Sequence, residues 1–476
     1  MTVSAPPAPP SPPSTPAAAP AGWLESTALS PPVWLGLAGS AFLAVGEVRR
    51  RGVTGTWFDQ LVSGRTPLTL IIVGILMLSA AWILLRPRGN PGPSVPAVLA
   101  LWSLPLLLLP PVLSTDAGSY ADLGWMLQHG YDPYAQGLGT TGSPFAYGRA
   151  WRGTTSVYPA GSLLLFGWVV TATGANATWS VIALRLLAVA GAALLLFGIP
   201  RLARLVGVDP ARALWLAVLN PLTLVHGIGG EHVDLLMAGL LVAGLALSRG
   251  RFGLLAGAVV VGLAALVKQP ALLAAPAVAG VWLLGRPVGR LRLLLASAGA
   301  TAIAVAAFVG LSELSGLGLG WIGGSGTPTR SDTPTLAFLI TDLVGPLVPQ
   351  ETLELAAAAV ALAAVGYLFL RHLGPSPLRF LALSSVAWVF GFGALREWYL
   401  IFPLALLGLV AADRWLLAIV PMTVLFAGYG GFREYQRWGV ADSFWAAAGL
   451  SLGLCLAWVA VEAWRRSRRP PPIGVT

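Results

Sequence analysis

The sequence predicts an all-α polytopic membrane protein, and three observations predict it: the apolar share of the chain, the scarcity of charge, and the spacing of its polar breaks. Hydrophobic residues make up 56% of the 476 residues, charged residues 10%, and the mean hydropathy is +0.77. Water cannot be kept from that much apolar surface in a soluble fold, whereas a bilayer solvates it. Between polar loops the chain returns to apolar runs of about 15 to 21 residues, a helix's reach across the hydrocarbon core. One membrane domain accounts for the length.

Residues 1–26 form a Pro/Ala/Ser tail with almost no charge and no apolar periodicity, which reads as disordered. The tail lacks the basic start and single apolar core of a cleavable signal. Spans follow at about 33–47, 68–85, 94–113, 179–199, 211–228, 235–248, 252–267, 270–285, 292–312, 352–371, 379–395, 398–412, 415–430 and 443–462, about fourteen crossings within a single domain of residues 27–465. Two long polar stretches interrupt them, residues 114–178 and 313–351, and a basic tail, 466–476, closes the chain. Several runs are short, which favours tight hairpins or half-helices.

Arginine placement sets the orientation if residues 158–173 are a helix lying at the membrane surface. Both termini then share the side that is richer in arginine, the cytoplasmic one, and residues 114–178 and 313–351 face outward. Arg49 to Arg51 fall on the wrong side, so the first hairpin fits this topology least well. No internal repeat is evident, which disfavours inverted-repeat transporters. The net charge of +10 is almost wholly arginine, with Lys268 the single lysine, and it is scattered among short loops, so no nucleic acid is expected as a partner. Cys455 is the single cysteine and lies in an apolar run, which leaves no material for a disulfide framework or a thiolate metal site.

Asp116 is the most informative residue. It stands just past the third span, at the start of the loop STDAGSYADLGWMLQHGYDPYAQ, dense in Asp, Tyr, Trp and His in a chain otherwise poor in charge. Polar groups gathered at a bilayer edge usually serve function. One reading makes Asp116 a helix cap or solvated loop acid; the other makes it a general base taking the proton from a sugar hydroxyl. Asp122, six residues on, lies about 120° around a helix from Asp116, too far for a carboxylate pair. Asp132, in Gly130-Tyr131-Asp132-Pro133-Tyr134, reads first as a turn former.

Further outward groups widen the site. Glu231, His232 and Asp234 sit between two spans, either as a polar hairpin tip or as ligands of a sugar; as a metal site they lack the spacing of a closed ligand set. Lys268 offers a point charge to a phosphate, or snorkels to the interface. Arg330, Arg396 and Arg433 are further phosphate candidates. Arg185, inside a span, requires a carboxylate or phosphate partner that the sequence does not identify. The stretch from Trp321 to Pro334 is rich in Gly and Ser, as a lid would be.

Taken together, Asp116 with Ser119-Tyr120, Gly130 to Tyr134, Tyr158-Pro159, Asn220-Pro221-Leu222, His232-x-Asp234, Lys268-Gln269-Pro270-Ala271 and Trp398-Tyr399 resemble the GT-C membrane glycosyltransferases. Within that class they are most similar to the actinobacterial polyprenol-phosphomannose-dependent α-1,6-mannosyltransferases of the MptB type. Val233 departs from the pattern, standing where Asn usually precedes the Asp. The resemblance implies a GT-C-like helical bundle whose outward loops carry short surface helices. It also implies a polyprenyl phosphate mannose donor, used on the extracytoplasmic face with inversion, and a glycan or glycolipid acceptor. Asp116 matches the family's first-loop catalytic aspartate. Tyr120, Asp122, Asp132, Tyr134, Tyr158, Glu231, His232 and Asp234 are then substrate-binding candidates, and Lys268, Arg330, Arg396 and Arg433 phosphate-binding ones. This scheme requires no cofactor and no metal; a divalent cation bridging carboxylate to phosphate stays an open alternative. So do a transporter or lipid flippase, a GT-C enzyme using another polyprenyl-phosphate sugar, and an accessory subunit with a decayed site.

Overall fold

The computed structural model describes residues 30–50, 66–88, 92–145, 151–324, 335–345, 347–393, 395–433 and 440–467. Its described residues contain helices and turns but no strand. In chain order the helices are α1 (Pro31–Arg50), α2 (Thr66–Leu84), α3 (Val95–Ser103), α4 (Asp116–Gln128), α5 (Ala160–Ala172), α6 (Ala177–Leu205), α7 (Pro210–Ala217), α8 (Asp234–Leu247) and α9 (Gly253–Val267). They continue as α10 (Ala275–Leu283), α11 (Arg290–Leu314), α12 (Leu336–Val344), α13 (Gln350–His372), α14 (Pro377–Gly391), α15 (Ile401–Leu407), α16 (Leu416–Arg433) and α17 (Val440–Ser467).

Among the described residues six helices are long and apolar enough to cross a bilayer, lying in α1, α2, α6, α11, α13 and α17, which makes this a multi-pass membrane protein. A seventh crossing exists if the turn Thr223–Gly229 and α8, bent by 103° where they meet, form one broken span. The expected fourteen therefore resolve into fewer full-length spans and a set of short apolar helices, including Val95–Leu106, Gly253–Val267 and Pro377–Gly391. Proline accounts for part of the shortening. The run at 94–113 is helical only as far as Leu106, and Pro105, Pro110 and Pro111 then carry the chain away from helix. The stretch at 158–173 is indeed one short helix, α5.

Small residues set how closely the helices pack. A Cβ on Gly74 of α2 would lie 2.6 Å from the carbonyl oxygen of Gly39 on α1, so the two backbones touch. The same holds for α6 and α8, where a Cβ on Gly191 would overlap the backbone of Leu235 and one on Gly239 that of Gly191. On the other hand, α11 and α13 bury little of their surface within the protein, as lipid-facing helices do. Glu47, buried in the last turn of α1, pairs with Arg50 at 2.8 Å, so part of the arginine cluster there is neutralised within its own helix.

Two polar devices tie distant segments together. Trp82 and Trp215 stack with centroids 4.8 Å apart, and each indole N–H donates to the other residue's carbonyl, at 2.9 and 2.7 Å. Arg185 of α6 provides the second. Its guanidinium donates to the carbonyls of Leu107 at 2.8 Å and Ile228 at 3.1 Å and pairs with Glu231 at 2.6 Å, giving the missing partner of the sequence reading. Because Leu107 precedes Asp116 and Ile228 precedes His232, one buried side chain holds together the two stretches that lead into the site.

Candidate functional site

The site is assembled from the start of α4, the turn before α5, the bend at 223–233, the break after α9, and a 3-10 turn at Glu397–Leu400. Asp116 is the first residue of α4, after an N-cap position held by Thr115, and its own N–H donates to Ser114 Oγ at 3.1 Å. The cap reading fails because Asp116 stands inside the first turn, where the helix dipole favours its negative charge. Its side chain is nearly buried, and Oδ2 lies 3.6 Å from His232 Nδ1.

His232 owes its position to the bend. Asn220 starts it, its side chain accepting from Thr223 N–H at 2.8 Å and donating to the Leu216 carbonyl at 3.0 Å, and residues 223–229 then wind as a π-helical turn. Glu231, at φ +62°, reverses the backbone so that Asp234 can open α8. The stretch is not an exposed hairpin tip: residues 220–239 are all buried. His232 then lies flat on Trp398, ring centroids 3.6 Å apart and planes 12° apart.

Beside this stack Lys268 Nζ meets both oxygens of Asp234, at 2.7 and 2.8 Å, and sits 4.3 Å from the centre of the Tyr399 ring. A charge-assisted, nearly buried pair of this kind fixes α9 to α8. Lys268 is therefore paired with a carboxylate and held at the site, and not extended toward the interface as a snorkelling side chain would be. Arg396 is half-buried, with its guanidinium 5.7 Å from the Trp398 ring.

On the first-loop side of Asp116 lies a small, half-open cleft lined by Asp116, Ser119, Tyr120, Trp151, Thr154 and Tyr158 among others. The Tyr120 and Tyr158 hydroxyls are 3.2 Å apart, and the Tyr120 ring stacks on Phe166 at 4.6 Å. Burial, with the Asp116 charge nearby, holds both phenols well above their ordinary range, so both stay protonated donors. Tyr134 stands behind them, its hydroxyl donating to the Tyr158 carbonyl at 2.9 Å.

The remaining candidates lie apart. Asp122 is fully buried with Oδ2 accepting from Gly139 N–H at 2.9 Å, so it braces the loop. Burial raises its pKa, against the lowering effect of hydrogen bonds from Ser143 and Gly139. Asp132 is exposed and accepts from Tyr134 N–H at 2.8 Å, the turn role its Asp-Pro sequence suggests. Glu231 faces Arg185 and not the cleft. Arg330 and most of the Gly-rich stretch to Pro334 lie outside the described residues, as do the tails at 1–26 and 468–476 and the side chain of Arg433. Among the described residues no cluster of three or more His, Cys, Asp or Glu is arranged to hold a metal ion.

Two contributors were not singled out from the residues themselves: the stacking role of Trp398, visible only as an aromatic pair with Tyr399, and the Arg185–Glu231 pairing, for which two lone charges in apolar surroundings were the available signal.

Residues 33–284, more than half of the chain, match the family described as Alpha-(1->6)-mannopyranosyltransferase, N-terminal domain. The chain is 35% identical over 268 residues to the Alpha-(1->6)-mannopyranosyltransferase A of Mycobacterium tuberculosis, covering 52% of this chain and 50% of that protein. Against the protein of the same name in Corynebacterium glutamicum the identity is 34% over 195 residues, 38% of this chain and 40% of that one. The matched region thus spans about half the length, or less, of these curated relatives. Among solved structures, apo ArnT from Cupriavidus metallidurans is 15% identical with a TM-score of 0.36, over 83% of this chain and 77% of that one, a distant likeness.

Proposed function

Since this chain belongs to the Alpha-(1->6)-mannopyranosyltransferase family through residues 33–284, we propose that it transfers mannose from polyprenyl phosphate mannose to a cell-envelope glycan or glycolipid. Transfer takes place on the extracytoplasmic face with inversion, forming an α-1,6 link. The observation that carries the reading is a nearly buried Asp116 that opens onto a polar, aromatic cleft and is backed by His232 at 3.6 Å.

A phosphate is already a competent leaving group, so the protein's work is to place an acceptor hydroxyl opposite it, accept the proton and stabilise the departing charge. Asp116 takes that proton as the hydroxyl oxygen bonds to the anomeric carbon. The carbon–oxygen bond to phosphate breaks, its electron pair leaving with the polyprenyl phosphate. His232, held by its stack on Trp398, orients the carboxylate. Lys268 shares its charge between Asp234 and the phosphate, with Arg396, Arg330 and Arg433 as further ligands. No step calls for a metal or cofactor, and the lipid tail stays in the bilayer.

Membranes carrying the wild type or Asp116→Asn, given polyprenyl phosphate mannose and short α-linked mannosides, test this. Product from the wild type alone is expected. Equal product from both removes Asp116 from the chemistry, and product from neither overturns the donor assignment.

A further inference from the structure

The buried hydroxyls of Ser40, Ser312, Ser384 and Ser443 have no hydrogen-bond partner among the described residues, but other serines of the helices and their ends return theirs to the carbonyl four residues back. Ser79, Ser103 and Ser248 do so at 2.7, 2.7 and 2.8 Å. Ser119 does not. The carbonyl four residues behind it belongs to Thr115 and already receives the backbone N–H groups of Gly118 and Ser119. The hydroxyl, in a residue 5% exposed, has no hydrogen-bond partner among the described residues, yet Ser119 lines the cleft beside Asp116. A buried polar group left open weakens the fold, so its retention calls for an explanation.

The surroundings indicate what would satisfy it. Asp116 and Ser119 are three residues apart on α4 and share a face. The same cleft is lined by the protonated Tyr120 and Tyr158 phenols, Thr154 and Trp151. No lysine or arginine is among the described residues lining the cleft. Hydroxyl donors, an aromatic face and the lack of a cation suit a neutral sugar and not a phosphate ester.

We propose that this cleft is the acceptor subsite, and that Ser119 hydrogen-bonds a second hydroxyl of the sugar whose attacking hydroxyl Asp116 deprotonates. The inference rests on the mannosyltransferase reading above and adds to it the acceptor's place and a residue that reads its hydroxyl pattern. The donor phosphate then belongs on the opposite side of Asp116, toward Lys268 and Arg396.

The test is Ser119→Ala in the full chain, purified into lipid nanodiscs and assayed with a short α-mannoside. The acceptor KM should rise about three- to tenfold, the value of one hydrogen bond, with donor KM and kcat within about twofold of wild type. Thermal stability should be unchanged or higher, since no bond within the protein is lost. A merely structural serine would show the opposite pattern. Deoxy-mannosides complete the cycle: the analogue lacking the contacted hydroxyl should lose the same factor on wild type and nothing further on Ser119→Ala. An unchanged acceptor KM, or a rise in donor KM instead, overturns the proposal. Should wild type transfer no mannose, the underlying reading fails while saturation-transfer NMR of the same mannoside still decides the subsite. Weaker binding by Ser119→Ala supports it and equal binding overturns it.

Discussion

Glu231→Leu removes the carboxylate 2.6 Å from Arg185 in surroundings where the two side chains are 0% and 2% exposed. The guanidinium is left with backbone carbonyls and an uncompensated charge, which in other buried pairs costs about 3–5 kcal/mol. Arg185→Met in the same chain takes away the charge as well. What remains is the loss of the donors to the Leu107 and Ile228 carbonyls, about 1 kcal/mol each, and of a long 3.4 Å bond to the Gly229 carbonyl, roughly 2 kcal/mol in all. The double variant should therefore be more stable than Glu231→Leu alone, by at least about 1 kcal/mol, an inversion that independent sites never give. Equilibrium unfolding in mixed SDS and dodecyl maltoside micelles, followed by tryptophan fluorescence, reads all three proteins. A double variant as damaged as the sum of its parts, or a Glu231→Leu within about 0.5 kcal/mol of wild type, would show that the pair does not organise the bend.

Two further perturbations probe the site from other directions. Trp398→Leu removes the surface on which His232 lies and should lower kcat/KM for mannosyl transfer about tenfold, while Trp398→Phe keeps an aromatic face and stays within about threefold; equal losses in the two would remove stacking from the explanation. Asp122 has a carboxyl raised from its ordinary 3.8 by burial, so the native state holds its proton more tightly than the unfolded chain. Stability from this group is then present at low pH and falls as pH rises from about 4 through the raised value. Asp122→Asn should flatten that slope between pH 4 and 7 in thermal unfolding while leaving transfer within about threefold; a slope that survives the substitution refutes the assignment.

The sequence carried the membrane class plainly, because apolar runs are a local signal and every span is written in consecutive residues. Asp116 stood out for the same reason, a carboxylate at the seam between an apolar run and an aromatic loop. The long-range pairings were illegible. Lys268 looked like a point charge until α9 brought it against Asp234, and Glu231 looked like a sugar ligand until α6 set Arg185 beside it. The count of full-length spans was not legible either, for a physical reason. Hydropathy records that a stretch prefers lipid or protein interior to water, and it does not distinguish a full crossing from the buried bend at 223–233 or from a helix that ends at Leu106.

The backbone contact between α6 and α8 at Gly191 and Gly239 acts as a pivot. Arg185 lies six residues before Gly191, and Asp234 five before Gly239, so both charges sit on arms of roughly 8 to 9 Å along their helices. A helix rocking by about 10° around that fulcrum displaces them by only about 1.5 Å. Membranes differ in thickness, and long helices answer by tilting. With so short an arm, tilt that swings the far end of α6 widely moves the Arg185–Glu231 clamp and the Asp234–Lys268 pair far less. Tilt of α6 thereby moves the candidate site much less than it moves the far end of the helix.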